Sequence, residues 1–181
     1  MLHPMSGLID NLVAAAERRS SAAQAAGNSW QWTAEFAATL AALQADYEGL
    51  VAEPDTVHPL TTIAEVFGLD EIDAALLWLA AAVDLDANIG LAYALLRGLA
   101  GAVRPSVALA LELLAVPTAT PESFARLGPD GALRRSRLLE VSDSEPWLGR
   151  VLSVAHSVTA VLAGGTPCDP VVARLRTPVL P

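Results

Sequence analysis

A mainly α-helical fold, with an N-terminal helical hairpin and then a helical domain carrying one small β-hairpin, is predicted by three observations. Ala and Leu fill 64 of the 181 positions, and 53% of the chain is apolar with only 5% aromatic. Ala and Leu lose least on entering a helix. Apolar residues recur at helical spacing through most of residues 8–116, with Gly and Pro punctuating the runs. Beyond Gly131 the period changes to that of short strands. A chain of this length can bury the core of one domain with a helical appendage.

Residues 8–26 form an Ala-rich helix with Leu8, Leu12, Ala15 and Ala16 on one face. Gly27-Asn28-Ser29 supplies a stop and a fresh N-cap. The next helix places Phe36, Leu40, Leu43, Tyr47 and Leu50 at intervals of 4, 3, 4 and 3, a heptad seam over about two repeats. Pro54 ends it. The expected unit over residues 1–54 is a hairpin that packs on itself or on the following domain. Core packing is the plain reading of the seam, and self-association is the other. Trp30 and Trp32, at the hairpin tip, read as staples rather than a ligand platform.

The second unit spans residues 55–165. Thr62-Ile63-Ala64-Glu65 matches a capping box, and that helix stops at Gly68. Asp70 caps a helix through Val83 with Ile72, Leu76, Leu79 and Val83 as its stripe. Asp84–Asn88 turn the chain into a helix that directs Ile89, Tyr93 and Leu96 inward and closes at Gly98 and Gly101. Arg104-Pro105-Ser106 opens another, with Pro105 in the first turn and apolar residues through Val116. Pro117, Pro121, Gly128, Pro129 and Gly131 punctuate the stretch that follows, to which no element is assigned. Arg137–Val141 and Arg150–Val154 read as two strands around an SDSEPWLG loop, and a last helix, His156–Ala163, ends at Gly164-Gly165. Residues 166–181 hold four of the twelve prolines and read as a linker. Helices followed by a two-stranded wing give the outline of a winged-helix domain.

Charge and composition exclude several chemistries. All eleven cations are arginine. Without lysine there is no Walker A loop, no Schiff base and no Ser-Lys dyad. The net charge of −9 argues against general affinity for phosphate backbones. It is unevenly spread, at −10 over residues 1–103 and +1 over residues 104–181. Asp84-Leu85-Asp86-Ala87-Asn88 mimics the start of a calcium loop but lacks the Gly at its sixth position and the Glu at its twelfth. His3, His58 and His156 lack metal-ligand spacing, and Cys168 sits in a proline-rich tail with no GxSxG elbow elsewhere. Neither catalytic site, cofactor nor metal is expected. One cysteine, an N-terminus without signal-peptide features and no apolar run near the roughly 20 residues of a membrane span fit a soluble cytoplasmic protein.

The binding candidates lie near the wing. Arg134, Arg135 and Arg137 form a solvated charge run or a contact for an acidic protein or a phosphate backbone, and Trp147 is either a core lid or an exposed anchor. Arginine and aromatic residues dominate binding hot spots, so these four are the expected partner interface. DNA is the less favoured ligand. The segment expected in the recognition position, SVALALELLAV, offers Glu112 as its only charge and nothing with which to read bases.

The runs PLTTIAEVFGLDEIDAALLWLAAAVDLDANIGLAYALLRG, RPSVALALELL, ALRRSRLLEV and VLAGG resemble the winged-helix N-terminal region of bacterial AAA+ ATPases, including those encoded beside extracellular contractile injection systems. The resemblance covers residues 58–165 and rests on apolar spacing and the Arg-Pro-Ser opening, not on catalytic residues. It implies a non-catalytic domain that recruits protein partners or substrates to a motor lying beyond this chain. The alternative is a winged-helix transcription regulator that binds DNA.

Overall fold

The computed structural model describes residues 4–27, 34–47, 58–143 and 146–165. Helices α1 (Pro4–Ala25) and α2 (Ala34–Tyr47) form the hairpin. Helix α1 buries Met5, Leu8, Ile9, Leu12, Ala15 and Ala16, and α2 buries Phe36, Thr39, Leu40 and Leu43. All of these but Thr39 join one hydrophobic cluster with the rest of the molecule. Helix α2 lies along α1 and α5 (Ala87–Arg97), while α1 also reaches α4 (Glu71–Leu85) and α6 (Val107–Leu113). The seam is therefore packed inside the chain. Tyr47, half-buried, donates its hydroxyl to Asp86 Oδ2 at 3.2 Å. Leu50, Trp30, Trp32 and Pro54 lie outside the described residues.

Polar contacts complete the docking of α1. Arg19 donates from Nε to Glu112 Oε1 at 2.7 Å and from a terminal nitrogen to the Leu96 carbonyl. Arg18 donates to the Glu112 carbonyl at 2.7 Å. Leu96 and Glu112 lie in the last turns of α5 and α6, where carbonyls have no helical partner and negative potential gathers. Two adjacent arginines thus cap two helices at once.

Helix α3 (Pro59–Phe67) starts earlier than the capping-box pattern predicts. His58 is the N-cap, its Nδ1 accepting the Leu60 N–H at 3.1 Å, and Thr62–Glu65 lie within the helix. Pro59 at the first position, where no N–H is needed, favours this start. Gly68 closes α3 in the left-handed region at φ 63°. Asp70 Oδ1 accepts the Asp73 N–H at 2.8 Å and caps α4 as expected. Helix α4 runs through the centre, with Leu76 to Ala82 all buried. Ile89, Tyr93 and Leu96 of α5 face inward, and the Tyr93 hydroxyl donates to the Leu79 carbonyl at 2.9 Å.

Strands β1 (Leu139–Val141) and β2 (Leu152–Val154) pair antiparallel, with Leu139 opposite Val154 and Val141 opposite Leu152. On the other edge of β2, Ser106 makes an antiparallel bridge to Val151. The Val107 N–H donates to the Arg150 carbonyl and the Leu152 N–H to the Pro105 carbonyl, at 2.8 and 2.9 Å. Pro105 is thus a strand-edge residue outside the helix, and Ser106 is the N-cap of α6. Helix α6 ends at Leu113, where Ala115 takes φ 53° and Val116 bonds back to Leu111. Two further helices stand where no element is assigned from sequence, α7 (Pro121–Arg126) and α8 (Ala132–Arg135). Helix α9 (His156–Leu162) then packs on α3 and α4.

Candidate interaction surface

Helix α7 organises the surface beside the wing. Thr120 Oγ1 accepts the Ser123 N–H at 3.2 Å, Pro121 opens the helix and Glu122 occupies its first turn. Ser123 is buried and donates its hydroxyl to the Pro117 carbonyl at 2.5 Å. Arg126 reaches Asp70 and Asp73 at 2.6 and 2.7 Å, tying the end of α7 to the start of α4. That hydrogen bond from Arg126 is the main cause holding the Asp70 carboxyl below its usual range.

The opposite side of α7 is aromatic and open. Phe124 is 47% exposed and stacks on Trp147 with centroids 4.8 Å apart and ring planes 22° from parallel. The Arg150 guanidinium lies over the Trp147 ring at 5.9 Å from its centroid and pairs with Asp143 at 3.0 Å. Leu148 beside it is 42% exposed. Trp147 itself is half-buried, yet its Nε1 is buried with no hydrogen-bond partner among the described residues. An orphan donor of this kind costs about 1–3 kcal/mol.

The predicted arginines follow α7 closely. A Cβ on Gly131 would fall 2.0 Å from the Arg126 carbonyl oxygen, so only glycine lets the start of α8 meet the end of α7. Arg134 is half-buried and donates to the Leu127 carbonyl at 3.4 Å, just past α7. Arg135 and Arg137 are exposed and form no ion pair among the described residues. Arg137 holds φ 56° while its N–H and that of Leu138 bond back to Arg134 and Leu133. This closes α8 with an arginine where glycine would be unstrained. Of the four predicted residues, Arg134 and Trp147 touch the same short stretch, Phe124–Leu127, one at its Leu127 carbonyl and the other at the Phe124 ring. Among the described residues no hydrogen bond or cation–π pair joins Trp147 to any of the three arginines.

Phe124, Leu148 and Arg150 complete the surface and were not among the residues expected from sequence. Thr120-Pro121-Glu122, a cap followed by Pro and an acid, is the signal that would have revealed α7. Residues 106–116 hold α6, but the helix that immediately precedes the wing is not α6; α7 and α8 intervene. The lone charge of α6, Glu112, is bound to α1. The acids of the calcium-like segment are also engaged, Asp84 with Arg104 at 2.6 Å and Asp86 as the cap of α5. Among the described residues no group of His, Cys, Asp and Glu is gathered for a metal, and no single helix is long and apolar enough to cross a membrane.

A bridged Pro105–Val107 edge, three short helices, then a strand, a wing and a returning strand define a winged-helix domain. The chain belongs to the family described as winged helix domain, variant, which it matches over residues 6–174. That span takes in α1 and α2 as well as the wing. No curated protein and no solved structure matches the chain.

Proposed function

We propose that this winged-helix chain is the non-catalytic N-terminal interaction domain of an AAA+ ATPase, of the kind encoded beside contractile injection systems, and that it recruits a protein partner or substrate to the motor. The resemblance over residues 58–165 supports the link to the motor. With no lysine in 181 residues, a phosphate-gripping Walker lysine would have to come from outside them. The observation that carries the protein-binding reading is the stack of the exposed Phe124 of α7 on Trp147 of the wing loop, with the exposed Arg135 and Arg137 at the end of α8. Aromatic and arginine side chains of this kind supply most interface binding energy.

Of the two helices between α6 and the wing, α7 is the longer, and the DNA-binding alternative would present it to a groove. Its first turn presents Pro121 and Glu122, and its one arginine is held by Asp70 and Asp73. A carboxylate leading the helix meets phosphate unfavourably, so protein is preferred to DNA. The test is capture of partners on the immobilised chain from its native extract, compared with the Arg135→Glu/Arg137→Glu/Trp147→Ala variant. The expected result is loss of a specific protein band with the variant. Unchanged capture, or salt-dependent binding to a random-sequence duplex at physiological ionic strength, would overturn the reading.

A further inference from the structure

Seven of the nine described arginines donate to an oxygen of the protein. Arg18, Arg97 and Arg134 reach backbone carbonyls, and Arg19, Arg104, Arg126 and Arg150 reach carboxylates. Arg135 and Arg137 are exposed and, among the described residues, pair with no carboxylate. They sit at the end of α8 and in the turn that follows it. Arg137 also holds φ 56°, which strains a residue with a Cβ and is free for glycine. The turn would thus close at least as well without that side chain. Strain of this kind gathers where a residue serves a ligand rather than the fold.

The patch is short. Asp130 and Glu140, both exposed, bound it along the chain, and the residues between them hold Arg134, Arg135 and Arg137 with no acid. The whole chain carries −9. At physiological salt, charges more than about 8 Å apart are screened, so an anion at these arginines feels them ahead of the distant acids. A phosphate backbone runs on in both directions and carries its charge past the arginines. Carboxylates on a short stretch of protein end within the patch, and each guanidinium can take one through two parallel hydrogen bonds.

We propose that the partner presents an acidic segment and that Arg135 and Arg137 each grip one of its carboxylates. This rests on the protein-binding reading above and specifies its chemistry. The two arginines are then the charged half of the surface whose apolar half is Phe124, Trp147 and Leu148.

The experiment titrates the full chain at physiological salt with hexaglutamate blocked at both ends, following the N–H cross-peaks of residues 134–138 in nitrogen–proton spectra. These peaks are expected to move. Arg135→Lys/Arg137→Lys, which keeps the charge without the fork, should weaken binding by about two- to fivefold. Arg135→Glu/Arg137→Glu should weaken it by about tenfold or more. Arg137→Gly should raise the melting temperature by about 2–4 °C while weakening the probe several-fold, a split that a merely structural arginine would not give. Hexathymidylate, a phosphodiester chain, should bind several-fold more weakly than hexaglutamate.

Peaks unmoved by hexaglutamate would overturn the proposal. So would undiminished binding by Arg137→Gly, or a fall in its melting temperature. Hexathymidylate binding as tightly as hexaglutamate would overturn it in favour of nucleic acid. The titration needs no natural partner. Its failure with capture intact would strike the acidic chemistry and leave the protein-binding reading, whereas probe binding without a captured protein would leave a carboxylate site and strike that reading.

Discussion

Arg19 of α1 and Glu112 of α6 are 93 positions apart in sequence, and the guanidinium meets the carboxylate through two of its nitrogens. The same guanidinium caps α5 at Leu96. Arg19→Ala should therefore lower unfolding free energy by about 1–2 kcal/mol, a figure reduced for the partial exposure of the pair. Arg19→Lys should recover less than half, because an ammonium cannot span both carboxylate oxygens and the carbonyl. Urea denaturation of the three proteins measures both effects, and a silent Arg19→Ala would deny the clamp.

The hairpin and the winged-helix region share one cluster, so they should melt together. Leu12→Ala in α1 and Leu109→Ala in α6, both essentially inaccessible to solvent, should each cost about 2–5 kcal/mol. Each should shift a single transition rather than split it. Two separate calorimetric peaks in Leu12→Ala would show that the hairpin unfolds on its own.

Backbone geometry predicts opposite signs at two neighbouring turns. Ala115 ends α6 with φ 53°, a conformation that glycine adopts freely, so Ala115→Gly should stabilise by up to about 1 kcal/mol. Gly131→Ala drives a methyl into the Arg126 carbonyl and should destabilise by about 1–3 kcal/mol. It should also displace the Phe124–Trp147 stack, visible as a change in near-ultraviolet circular dichroism. Stabilisation by Gly131→Ala would contradict the close approach of α7 and α8.

Stability should fall at both ends of the pH scale for identifiable reasons. Arg126 depresses the folded pKa of Asp70, so the stability from that contact is present above the unfolded carboxylate value. It is lost as pH falls below about 4. Asp70→Asn should accordingly differ most from the native chain near neutrality and least in acid. Burial raises the Tyr93 hydroxyl pKa far above its ordinary value. Above about pH 10 the unfolded chain releases that proton while the folded chain keeps it, so stability declines as pH rises. Tyr93→Phe should flatten this alkaline limb while losing about 1 kcal/mol at neutral pH with the Leu79 hydrogen bond. Parallel alkaline limbs in the two proteins would assign the decline to other groups.

The elements that could be read from sequence were those whose signals are local. Asp70 as a cap, Gly68 and Gly98 as stops, the inward Ile89, Tyr93 and Leu96, and the two strands all follow from neighbours within a few residues. Helices α7 and α8 span six and four residues, too short for a 3.6-residue period to register against five Pro and Gly. Their omission led to Ser106–Val116 being assigned to the recognition position, although α7 and α8 stand between it and β1 in the chain. The capping-box match at Thr62 competed with His58, and Pro59 decided the contest for His58. At the surface, Trp147 and the arginines were visible by residue type. Phe124, Leu148 and Arg150 were not, because which side chains meet depends on how α7 folds back toward the wing.

The position of β2, bridged to Pro105–Val107 on one side and paired with β1 on the other, has a mechanical consequence. The Arg150 carbonyl, three residues from Trp147, takes the first N–H of α6, and the last turn of α6 is gripped by Arg18 and Arg19. Helix α6 is thus a strut about 10 Å long between the wing and the hairpin. A load applied at Trp147 enters one end of that strut and leaves at α1. A partner seated on the wing would therefore be coupled to the N-terminal arm through seven residues of rigid helix rather than through a loop.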